Sequence, residues 1–156
     1  MPDAERDEEP IESSPIVNVS WAGTGVFVAT TVLAVIDPDG LSGPGLLVDL
    51  VLFAVGCVAF LWAYAVAVSR SRTDLIGIGG LYFLQGSAPR IIQLRLLIPL
   101  AIQVVVAVLA ASLRPYTAVA FGILVPIFGL GLAGLWGARH GTFEARSVPS
   151  NDAKPS

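Results

Sequence analysis

Apolar residues run in four long blocks along this chain, and polar residues collect in the gaps. The blocks cover about residues 16–36, 46–68, 91–113 and 116–138. Each is long enough for an α-helix to cross the roughly 30 Å hydrocarbon core of a bilayer. Turn signals separate them. Asp37-Pro38-Asp39-Gly40 closes the first, Gly43-Pro44-Gly45 precedes the second, and Arg114-Pro115 divides the third from the fourth. Arg139 and His140 close the last block. A fifth apolar piece, residues 75–84, is too short. As a helix it would reach about 15 Å, half of the core.

Composition points the same way. The chain is 54% hydrophobic and 13% charged, against about 25% charged in an ordinary soluble domain. Too few polar side chains exist to cover such a chain in water. The expected fold is therefore an all-α integral membrane bundle of four transmembrane helices, occupying residues 16–140. Residues 1–15 read as a disordered acidic tail, with Asp3, Glu5, Asp7, Glu8, Glu9 and Glu12 among three prolines. Residues 141–156 read as a second disordered tail. The acidic flank is unlike the basic start of a signal peptide, so the first block is expected to be retained as a span.

Charge also predicts direction. Of the nine Lys and Arg residues, eight fall in the two tails and the second connection, and only Arg114 falls on the other side. The positive-inside bias then puts both termini in the cytoplasm. Trp21 and Trp136 lie near the ends expected at that interface, whereas Trp62 lies deeper. Arginine outnumbers lysine eight to one, a composition expected of a GC-rich bacterial genome. The expected location is thus the bacterial cytoplasmic membrane.

The connection from Ser69 to Arg90 becomes the main cytoplasmic loop. Gly77-Ile78-Gly79-Gly80 is not a phosphate loop, because Leu81-Tyr82 stand where Lys-Ser/Thr are required. Three glycines in residues 75–84 oppose a stiff helix. An irregular or partly re-entrant segment packed on the bundle fits better. Leu81, Tyr82 and Phe83 would reach the headgroup region, and Arg70, Arg72, Arg90 and Arg95 would meet anionic lipid or a docked partner.

Few polar residues lie within the blocks. Asp49 is the one acidic residue there, about one turn from the expected start of its helix. The simpler reading is a carboxylate favoured by the helix dipole and paired with Arg114. The sharper one is a proton or cation site. Gln103 lies at the depth of Pro126, where a missing backbone hydrogen bond frees the Gly122 carbonyl. It reads as interhelical glue or as a substrate contact. Small residues at four-residue spacing (Gly129, Ala133, Gly137; Ala59, Ala63, Ala67; Ala107, Ala111) predict close helix packing.

Other chemistry is not indicated. Cys57 is the single cysteine and His140 the single histidine, so neither a disulfide nor a Cys/His metal cluster is expected. No cofactor motif or hydrolase signature occurs. The loop arginines have a membrane explanation, so no nucleic-acid role is expected. The first functional expectation is a non-enzymatic accessory, assembly or scaffold subunit. It would meet lipid and a larger membrane protein or a second copy. The alternative is a small dimeric carrier or pore that uses Asp49 and Gln103.

Overall fold

The computed structural model describes residues 15–71 and 76–144. The acidic tail, Arg72 and the segment after residue 144 lie outside the described residues. The chain forms α1 (Pro15–Ile36), α2 (Pro38–Arg70), α3 (Ile78–Tyr82), α4 (Arg90–Leu113), a 3-10 helix (Ala118–Leu124) and α5 (Pro126–His140). Four segments are long and apolar enough to cross a membrane: α1, α2, α4 and the combined stretch Ala118–His140. Exposure runs opposite to that of a water-soluble protein. Val58 and Leu61 are about two-thirds exposed, while Ser20, Thr24 and Gln103 are buried. That distribution suits a hydrocarbon solvent, in which polar groups must find partners inside the protein.

The second helix begins eight residues before the position expected from sequence. Asp37 ends α1 and caps α2, accepting the Gly40 N–H on its side chain at 3.1 Å. Pro38 follows at the first helical position, where its missing donor does no harm. The turn signal thus contracts to one residue, and Gly43-Pro44-Gly45 lies inside the helix. At 33 residues, α2 is about 50 Å long, well beyond the hydrocarbon thickness. Gly45 has a packing reason: a Cβ there would stand 3.4 Å from the Ala34 Cβ of α1.

The fourth span is broken. Pro126 has no N–H to give to Gly122. Instead the Val125 N–H bonds the Gly122 carbonyl at 3.0 Å, and Phe128 bonds Val125 at 2.8 Å. Both are three-residue bonds, so the chain enters the break as a 3-10 helix and leaves it as α5.

α5 packs closely on α2. A Cβ on Gly56 would collide with the Phe128 backbone, and one on Gly131 with the Gly56 carbonyl. Ala59, Ala63 and Ala67 are buried along α2. On α5, Gly129 faces Leu100 and Gln103 of α4, while Gly131 and Gly134 face α2 and Tyr82. Those two glycines lie off the small-residue ridge identified from spacing.

α3 lies against α5 and closes that end of the fold. Leu81, Tyr82 and Leu84 are buried, whereas Ile78 and Phe83 are exposed. Leu84 holds a left-handed conformation at φ 56°. That conformation costs roughly 1–2 kcal/mol, and burial against Val17, Ile92, Leu96 and Trp136 holds it in place.

A Gly56→Ala substitution should therefore lower unfolding stability in detergent by about 1–3 kcal/mol through overpacking. Gly43→Ala, which meets open space in the same helix, should be neutral or gain up to about 1 kcal/mol. Thermal unfolding of the two purified variants checks the contrast.

Candidate functional site at the break in the fourth span

Two polar side chains expected from sequence to matter flank this break. Gln103, on α4, is fully buried. Its Oε1 accepts the Gly129 N–H at 3.2 Å, and its Nε2 donates to Thr24 Oγ1 at 2.6 Å. Thr24 in turn donates to the Ser20 carbonyl at 2.8 Å. Gln103 thereby supplies an acceptor to one of the first N–H groups of α5, which have no partner within that helix. The group it satisfies is the Gly129 N–H; the Gly122 carbonyl is taken by Val125.

Asp49 stands on the other side of the break. Because α2 begins at Pro38, Asp49 is about 16 Å along the helix rather than one turn from its start. It is 5% exposed, and among the described residues its Oδ1 has no hydrogen-bond partner. A Cβ on Gly122 would stand 3.5 Å from Asp49 Oδ2 and 3.2 Å from the Phe27 ring. Asp49 therefore lies against the 3-10 half of the fourth span at Gly122, where the Phe27 ring of α1 also approaches. The expected pairing with Arg114 does not form. Arg114 donates instead to the Val35 carbonyl at 3.2 Å, at the end of α1. The longer α2 is the reason, since it carries Asp49 inward from the level of Arg114.

Ser20 and Thr24 were not singled out from sequence, although a signal existed. The buried face of α1 is Val17, Ser20, Thr24, Phe27, Thr31 and Ala34. Three polar residues share that stripe. In hydrocarbon, the polar face of an apolar helix turns inward. Ser20 Oγ, like Asp49 Oδ1, is buried without a partner among the described residues.

The loop arginines serve different ends. Arg70 donates to the Ala138 carbonyl at 2.8 Å and the Gly141 carbonyl at 3.3 Å, with its guanidinium 5.5 Å from the Phe143 ring centre. It caps the C-terminus of α5. Arg90 is exposed at the start of α4. The backbone carbonyl of Arg95 accepts Trp21 Nε1 at 3.1 Å. Tyr82 stacks on Phe60 at 4.4 Å and donates to the Phe60 carbonyl at 3.3 Å. Burial, and after it the nearby Tyr64, pushes the Tyr82 phenol up. The Ser87 hydroxyl bonds the Gly80 carbonyl, and the Ser87 carbonyl accepts the Thr142 N–H at 2.9 Å.

Among the described residues no three His, Cys, Asp or Glu side chains come together. His140 stacks on Trp136 at 5.4 Å. No family model, curated protein or solved structure matches the chain.

Gln103→Leu removes both bonds and strands the Gly129 N–H in an apolar interior. Stability against unfolding in mixed detergent should fall by about 1–3 kcal/mol. Thr24→Val removes one bond and should cost less, about 1 kcal/mol. Equal stability of Gln103→Leu and the parent would mean that the cap contributes nothing.

Proposed function

We propose that this chain is a small non-enzymatic carrier of the bacterial cytoplasmic membrane, with Asp49 as its ion-binding group. One observation carries the proposal: a buried carboxyl, with an oxygen unpartnered among the described residues, lies against the 3-10 half of a broken spanning helix. Ion sites of carriers commonly form at discontinuous helices, and an ionisable residue within a span is a functional candidate by default. Gln103 has the complementary task of holding the α5 half of the break.

The ion is a proton. Hard divalent cations take about six or more oxygen ligands. Among the described residues no three His, Cys, Asp or Glu side chains come together to supply such a set. A proton needs one carboxyl and removes the charge that apolar surroundings disfavour. The bias of Lys and Arg to one side supports an orientation with both termini cytoplasmic.

Proteoliposomes with a trapped pH-sensitive dye provide the test. With valinomycin and potassium to balance charge, the parent protein should collapse an imposed pH gradient faster than protein-free vesicles. Asp49→Asn, at equal reconstituted amount, should slow this by at least roughly tenfold, because Asp49 is the one buried acid among the described residues. A parent no faster than empty vesicles would end the carrier reading. An Asp49→Asn protein as fast as the parent would remove Asp49 from it.

A second reading, an accessory subunit docked on a larger membrane protein, has one observation in its favour. Ile78 and Phe83 remain exposed on the segment that closes the fold, with Arg90 exposed nearby in sequence. If that face docks, a stoichiometric partner retained at native expression should be lost when Ile78 and Phe83 become serine. Unchanged co-purification would exclude that face.

A further inference from the structure

A groove opens on the outer face between α2 and α5, beyond the break at Pro126. It encloses about 560 Å³. Ala54, Val58 and Trp62 form one wall, and Leu132 and Leu135 form the other. The hollow exists because Ala54 is small while Trp62 stands out, 57% exposed. From Ala54 to Trp62 the wall runs about 12 Å along the helix, which accommodates part of a single hydrocarbon chain. The α5 wall continues in one stripe from Leu132 through Leu135 to Arg139, the groove's charged residue.

Arg139 lies in the last turn of α5 and is exposed. No described residue bonds or ion-pairs with its guanidinium. Its neighbours are engaged otherwise, since Arg70 holds the carbonyls of Ala138 and Gly141 and His140 stacks on Trp136. The groove therefore joins an apolar trough within the span to one unpaired cation at its end. A phospholipid has the matching order: an acyl chain, then a phosphate.

We propose that this groove is a binding site for one anionic phospholipid, with an acyl chain between α2 and α5 and the headgroup phosphate on Arg139. A spanning helix of a partner would fill the trough equally well, but it has no need of a cation at the end. The charge decides in favour of lipid.

Native mass spectrometry of the full-length protein, extracted from nanodiscs of equal phosphatidylglycerol and phosphatidylcholine, tests the site. One retained phosphatidylglycerol should exceed phosphatidylcholine by about fivefold, the preference that one arginine supplies near an anionic headgroup. Arg139→Gln should erase the excess, and Arg139→Lys should keep most of it. Ala54→Phe, which fills the trough from an exposed position, should release the lipid although every charge remains. Equal retention of the two lipids would overturn the proposal. So would an excess that survives either Arg139→Gln or Ala54→Phe, or a second copy or other protein found on this face in place of lipid. Both positions are on the surface, so unchanged elution from gel filtration verifies that the variants fold.

Discussion

A backbone amide in hydrocarbon has no water to bond, so each one must be satisfied by the protein itself. Pro126 violates that condition within the fourth span. Around it the structure makes three adjustments. The preceding turn tightens to 3-10 geometry, which gives the Gly122 carbonyl a donor from Val125. Gln103 reaches across from α4 to the Gly129 N–H. Thr24 on α1 fixes the other end of the glutamine amide. Three spans are thereby tied together at one depth by the repair of one proline. Asp49 lies beside the repaired segment, against Gly122, without a bond at Oδ1 among the described residues.

The rest of the packing follows from close backbone approach. Hydrocarbon gives no hydrophobic drive for one apolar helix to meet another, so contact area and proximity have to supply the attraction. Gly56 and Gly131 let α2 and α5 meet main chain to main chain. Gly134 and Gly137 then receive the Tyr82 ring and the Leu81 carbonyl. The segment after α2 is thus held by α5 rather than lying loose at the surface. Arg70, Ser87 and Thr142 stitch the same end through backbone carbonyls. Polar side chains act here mainly on the main chain, where helix ends leave groups unpaired.

The groove between α2 and α5 is the other consequence of that pairing. Close approach at Gly56 and Gly131 leaves a trough along the outer edge of the pair, where Ala54 offers little bulk and Trp62 much. Its end carries Arg139, a charge that no bond among the described residues consumes. The same helix pair therefore gives the protein both its tight packing and an apolar recess that ends at one arginine.

The four spans were legible in the sequence because their signal is additive: about 20 apolar residues in a row outweigh any local detail. The inability of residues 75–84 to cross, and the depth of Gln103 relative to Pro126, were legible for the same reason of simple length. The depth of Asp49 was not. It depended on whether Gly43-Pro44-Gly45 broke a helix or lay within one, and the decision came from the cap at Asp37-Pro38 and the close contact of Gly45 with Ala34. The inward turn of Leu81, Tyr82 and Leu84 was hidden likewise, since their pockets are made by glycines of α5 about 50 residues away. Hydropathy and length set which segments of this chain are long and apolar enough to cross a membrane. Which polar groups meet inside was decided only by tertiary contact, because a donor and its acceptor on different helices leave no periodic trace in either one.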